Sequence, residues 1–254
     1  MSDLSSSENG TMTLRGHLRE LRKRIIICAI AFIAGFLICF SFARQIITVL
    51  TDMGTGYGYH FIYLAPQELL MVYFNVAMLG GLIIALPVIA SEIYQFAKPG
   101  LSSQETRSFF WSLVFGAICF VIGILFAYKI SLPFMLYFLI SFGADGVIHA
   151  SISIQEYLSF VLTVFIIFGC VFEMPVISVL LARLGILKPE WMLKGRKVAI
   201  VIIFVVAAII TPPDVASQIL VAVPMIALYE ISIALVRMFY QKHAAEKSDA
   251  AESE

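Results

Sequence analysis

The sequence predicts an all-α, polytopic integral membrane protein with six transmembrane helices, and three observations carry that prediction. Of 254 residues, 61% are hydrophobic and 13% charged, with a mean hydropathy of +0.96; a soluble domain of this size carries roughly a quarter of its residues as charge. Uncharged apolar runs recur at about the 20 residues an α-helix needs to cross some 30 Å of hydrocarbon. When the chain is cut at those runs, 15 of the 17 Lys/Arg fall in alternate connecting segments, the asymmetry expected of loops retained in the cytoplasm. The formal charge is balanced, 17 cations against 17 anions, so nothing points to a nucleic-acid partner.

Taken in order, residues 1–12 are polar and bury little, which predicts a disordered N-terminal tail. Leu14, Leu18, Leu21 and Ile25 then recur at helical spacing, predicting an amphipathic helix on the cytoplasmic face that turns into the first span, 25–43. Five cations, Arg15, Arg19, Arg22, Lys23 and Arg24, precede that span. Ser41-Phe42-Ala43 imitates a signal-peptide cleavage site, but the apolar run is longer than such segments and acids stand before it, so an uncleaved first span is expected.

The next spans are expected at 69–90, 109–130 and 158–182. Thr55-Gly56-Tyr57-Gly58-Tyr59, after the first span, reads as a flexible aromatic interfacial loop. The last apolar region is broken by Thr211-Pro212-Pro213-Asp214, because two prolines and an acid cannot continue a helix in lipid. It divides into short spans at 198–210 and 219–236 around a periplasmic turn of Pro212, Pro213 and Asp214, with Asp214 more simply a helix cap than a ligand. Span five would cover only about 20 Å, so either flanking residues extend its helix or the bilayer thins beside it. The membrane domain thus occupies 13–240, and the Ala/Ser/Glu-rich segment 241–254 reads as a disordered acidic tail.

This division leaves only Arg44 and Lys129 on the other side, placing both termini in the cytoplasm. Cys28, Cys39, Cys119 and Cys170 all fall inside spans without ligand-like spacing, so they read as buried thiols. No hydrolase, phosphate-binding or metalloprotease signature is present, and no enzyme, metal or cofactor is expected. No internal repeat supports a transporter made of two similar halves.

A few charges remain to be explained. Glu20 stands four residues before Arg24, and an intrahelical ion pair accounts for it. Glu105, between spans two and three, reads as a first-turn acid at the amino end of span three, and Phe96 as an interfacial aromatic. Glu173 lies about 15 Å from the nearer membrane face by helix rise, where an ionisable group costs about 2.5–3.5 kcal/mol and is a functional candidate; a protonated structural carboxyl is the other account. Pro175, two residues on, removes a backbone donor and predicts a kink beside it. Glu230, near the cytoplasmic border, can reach water.

The segment His17-Leu18-Arg19-Glu20-Leu21-Arg22-Lys23-Arg24 resembles the amino-terminal signature of the TatC family, the receptor subunit of the twin-arginine protein translocase. Leu86-Pro87-Val88, Gln95-Phe96-Ala97-Lys98-Pro99-Gly100-Leu101, Phe172-Glu173-Met174-Pro175 and Thr211-Pro212-Pro213-Asp214-Val215 match further family motifs in the family's order. The resemblance implies six tilted helices in a glove-like concave bundle, binding of precursors whose signal peptide carries consecutive arginines, and assembly with single-span TatA and TatB proteins and with further copies of itself, to export folded cargo. It also implies the site: Glu20 and Glu105 for the arginine pair, Phe96 and Pro99 shaping the loop that presents Glu105, and Arg19 and Arg22 orienting the acids or meeting lipid headgroups. Carboxylates suit such a ligand, because a guanidinium fork bonds them bidentately and stays charged. Glu173 and Pro175 would form an intramembrane partner site. The chain departs from the family at Asp52, where a proline is common nearby, and at Asn75, where a lysine is common. The competing reading is a secondary transporter or proton-coupled channel with Glu173 as relay and Glu230 as a second step.

Overall fold

A computed structural model describes residues 14–100, 103–141, 151–211 and 215–252, with side chains at 14, 15, 17, 103–105 and 241–252 outside that description. The elements run α1 (Leu14–Gly56), β1 (His60–Ile62), α2 (Pro66–Ala97), a 3-10 turn (Lys98–Gly100), α3 (Ser103–Phe126), a π turn (Ala127–Ser131), α4 (Leu132–Ser141), β2 (Ser151–Ser153), α5 (Ile154–Phe172), α6 (Met174–Arg183), α7 (Pro189–Ile210) and α8 (Val215–Glu252). They form six helical units, because α3 continues through the π turn into α4 and a single residue divides α5 from α6. Five units are long and apolar enough to cross a membrane. The sixth, α7, carries Lys194, Arg196 and Lys197 ahead of its apolar stretch.

Several expectations are corrected. No turn separates the amphipathic segment from the first span: α1 is one helix of 43 residues, roughly 64 Å long, so it projects beyond the hydrocarbon. Of the two accounts given for span five, extension by its flank is the one observed, and it reaches further than Gly195, since α7 begins at Pro189 and has 22 residues; proline at a first helical position forgoes only a donor that would be unpaired anyway. Span three continues through Pro133 to Ser141. Pro133 cannot donate to the preceding turn, and the wider π turn stands where that bond is missing. The segment expected as a disordered acidic tail is helical to Glu252; Ala, Glu and Lys have high helix propensity.

The α1–α2 and α4–α5 connections are more ordered than their composition suggests. His60, Phe61 and Ile62 pair in parallel with Ser151, Ile152 and Ser153. Tyr59, expected in a flexible loop, is buried because Gly58 takes a left-handed φ of 91° and turns it inward, where its hydroxyl donates to the Leu136 carbonyl at 3.3 Å. That burial pushes the Tyr59 phenol above its ordinary pKa. Ser153 caps α5, accepting from the amides of Gln155 and Glu156, and its hydroxyl donates to Glu68 at 3.0 Å.

Helix α5 is the hub of the core: Leu158, Val161, Val164, Phe165 and Phe168 are buried where it packs against α2, α3 and the π turn. Elsewhere large apolar side chains face outward along whole helices, among them Ile30, Leu37, Phe42, Val201 and Ile209, as lipid-facing surfaces must. Two close crossings hold the bundle. In α1 and α2, a Cβ on Gly35 would lie 2.7 Å from the Gly81 carbonyl oxygen and one on Gly81 2.7 Å from the Phe36 amide nitrogen. In α3 and α5, a Cβ on Gly123 would lie 2.5 Å from the Phe168 carbonyl oxygen. Bare glycine backbone is the means by which helices approach so closely in lipid.

Candidate functional site

The antiparallel α1–α2 pair brings the basic signature of α1 to the carboxyl end of α2. Arg24 is the centre of what meets there: its Nη2 donates to Glu20 Oε1 at 3.0 Å, and its Nη1 donates to Glu92 Oε2 at 2.9 Å and Gln95 Oε1 at 2.8 Å. The expected pair between Glu20 and Arg24 is present, but it is one arm of a bridge between two helices. Side-chain exposure is 18% for Arg24, 19% for Glu20 and 9% for Glu92, so Glu20 is partly shielded and Glu92 nearly dry. Only one carboxylate oxygen of Glu20 is engaged among the described residues.

Arg19 and Arg22 are exposed and form no ion pair with either acid among the described residues. Helical spacing explains why Arg24 takes that part: i and i+4 share a face, while positions one and two residues from Glu20 point away. Phe96 is half-buried in the last turn of α2, and Pro99 is exposed in the 3-10 turn that follows. By the register that sets Arg24 against Glu92 and Gln95, Glu20 lies level with Phe96. Glu105 is in the first turn of α3, and its side chain lies outside the described residues.

Sequence reasoning missed Glu92. It falls just beyond the apolar run of span two and looks like a border acid, yet its neighbours Ile93 and Tyr94 continue the helix. Folding a helical hairpin with Arg24 at one mouth and Glu92 at the other was the signal available.

Glu173 stands at the predicted break, as the single residue between α5 and α6. Its amide donates to the Cys170 carbonyl at 3.2 Å in a tightened turn, and Pro175 begins α6 at a position where no amide donor is needed. The carboxylate lies over Gly116 of α3: a Cβ there would sit 2.7 Å from Oε2 and 3.2 Å from Oε1. No ion pair reaches Glu173 among the described residues. Glu230 is not free to serve as its second step, because it pairs with Arg196 of α7 at 2.5 Å. Cys170, read as buried, is exposed on the helix surface; Pro212, Pro213 and Asp214 lie outside the described residues.

The family model for the Sec-independent protein translocase protein (TatC) matches residues 16–224. The chain belongs to the TatC family. A TatC of Aquifex aeolicus is 40% identical over 234 residues, covering 91% of this chain and 97% of the relative. One from Desulforapulum autotrophicum is 38% identical over 240 residues, covering 93% and 88%, and the TatCy protein of Bacillus subtilis is 36% identical over 241 residues, covering 95% and 94%. A crystal structure of a twin-arginine translocase receptor, TatC, superposes with a TM-score of 0.78 at 40% identity, covering 88% of this chain and 99% of that one. The chain is therefore a multi-pass bacterial membrane protein and a subunit of a twin-arginine translocase, a family of protein transporters and not of enzymes.

Proposed function

We propose that this TatC binds twin-arginine signal peptides at the cytoplasmic mouth of the α1–α2 hairpin, with Glu20 and Glu105 receiving the arginine pair and Phe96 and Pro99 shaping the intervening turn. The observation that carries the reading is the near full-length match to a twin-arginine translocase receptor. Glu20 adds local support: it is held in one geometry while keeping a carboxylate oxygen unengaged among the described residues, which suits a charge-assisted bond to a guanidinium. Both termini and the Lys98 turn face the cytoplasm in this reading, following the positive-inside asymmetry. Glu173 and Pro175 act later, as a polar break within lipid met by the inserted signal peptide or by the helix of a TatA- or TatB-type single-span partner, within an assembly holding further copies of this chain.

Photo-crosslinking of a precursor with paired arginines in native membranes tests the site. Glu20→Lys and Glu105→Lys are each expected to abolish the crosslink while the protein still inserts, and charge reversal is expected to exceed Glu→Gln in effect. A normal crosslink to the double reversal would refute the site.

A further inference from the structure

Two carboxylates and one guanidinium are in direct contact at the end of the α1–α2 hairpin. Counting Glu20, Glu92 and Arg24, the cluster has a formal charge of −1. We propose that Glu92 is a positioning residue for Glu20, acting through Arg24: it draws the guanidinium into a shared arrangement, leaves Glu20 with uncompensated charge, and so lets the cluster accept one further guanidinium from a docked peptide. The inference rests on the reading of Glu20 as part of the twin-arginine site.

The geometry gives the two acids different parts. Glu92 is the drier acid, so its bond to Arg24 is less screened than the bond from Glu20. Arg24 is also anchored to α2 a second time through Gln95. Glu92 is too enclosed to meet a peptide, whereas Glu20 keeps one carboxylate oxygen unengaged among the described residues. Arg19, Arg22 and Lys23 are exposed, and their charge is screened by solvent and salt. Were Glu92 neutral, Arg24 and Glu20 would be an ordinary i,i+4 pair with no net charge, and an incoming arginine would compete with a resident one for an acid already neutralised.

The test uses the full-length protein in detergent and a fluorescent signal peptide carrying paired arginines. Glu92→Gln keeps an acceptor for Arg24 but removes the charge, and is expected to weaken binding about tenfold, the order set by exchanging a charge-assisted interaction for a neutral one. Combining Glu92→Gln with Arg24→Gln returns the cluster to −1 and is expected to bring affinity back to within about threefold of the parent, a change in the direction opposite to accumulated packing damage. Wild-type affinity in Glu92→Gln overturns the proposal, as does weaker binding by the double variant than by the single one, which would mean that Arg24 and Glu92 only fasten α1 to α2. Gln95→Glu is an independent arm should Glu92→Gln not fold: it adds a carboxylate on the same Nη1 and is expected to tighten binding several-fold, and unchanged or weaker binding counts against the proposal. Glu20→Lys is the control. Normal binding there defeats the underlying site, whereas loss there with normal binding in Glu92→Gln defeats only the part given to Glu92.

Discussion

Replacing Gly116 and Gly123 by alanine, one at a time, separates two kinds of close approach on the same face of α3. A methyl at Gly123 would meet the Phe168 carbonyl oxygen at 2.5 Å, the Phe168 carbonyl carbon at 2.9 Å and the Gly169 Cα at 3.0 Å. All three are backbone atoms, so α5 itself must retreat by several tenths of an ångström, and overpacking of that kind costs about 1–3 kcal/mol. A methyl at Gly116 meets only the end of the Glu173 side chain, at 2.7 Å, which can turn aside through its own torsions. Both substitutions gain the same helix propensity, up to about 1 kcal/mol, and that gain cancels in the difference between them. Gly123→Ala should therefore be less stable than Gly116→Ala by about 1–3 kcal/mol, on the order of 5 °C in melting temperature for a protein of this length. Thermal unfolding in detergent measures the gap. Gly116→Ala should retain parental stability and precursor binding but lose export, because its methyl displaces the Glu173 carboxylate. Equal melting temperatures for the two variants would refute the packing argument, and full export by Gly116→Ala would refute the role given to the carboxylate's position.

Other outcomes follow from the same geometry. Glu173→Ala removes the cost of holding a carboxyl in lipid, so insertion should be at least as good while export of folded cargo falls and precursor binding persists; activity retained in Glu173→Gln would assign the work to a protonated, hydrogen-bonding carboxyl, and activity lost would assign it to the ion. In a background without the four native cysteines, Tyr63→Cys should react with an impermeant thiol reagent applied outside intact cells and Lys98→Cys should not; labelling at 98 would overturn the orientation. Tyr157 donates to the Leu50 carbonyl at 2.8 Å in a buried position, so Tyr157→Phe should cost about 0.5–1.5 kcal/mol, read as a lower melting temperature with signal-peptide affinity unchanged.

The helices were legible because hydrocarbon thickness imposes a length that composition alone reveals, and Pro175 gave away the break at Glu173 because a missing amide donor acts locally. What escaped depends on partners distant in sequence. Glu92 becomes informative only once α2 folds back on α1 and presents it to Arg24, whose pairing with Glu20 was legible in the i,i+4 spacing while its second arm was not. The burial of Tyr59 needs Gly58 to turn and Leu136 to accept. The proposed site was half-legible for a related reason: family motifs pointed to Glu20 and Glu105, but not to the guanidinium that Glu20 shares with Glu92.

The short parallel pairing of His60–Ile62 with Ser151–Ser153 bears on the order in which the protein matures. Its partners are about 90 residues apart, and a parallel ladder cannot be closed by a hairpin. During synthesis the first strand is made long before the second exists, so it must wait until α2, α3 and α4 have been inserted and the next connection has been made. The join is thus a late event of biogenesis, a latch that closes over two membrane crossings, α2 and the α3–α4 unit, and fixes the exit of α1 beside the entry of α5 only after the intervening helices are in place. Pulse-labelled chains halted before residue 151 should still hold an α1–α2 hairpin, yet lack the protease resistance that the closed join confers.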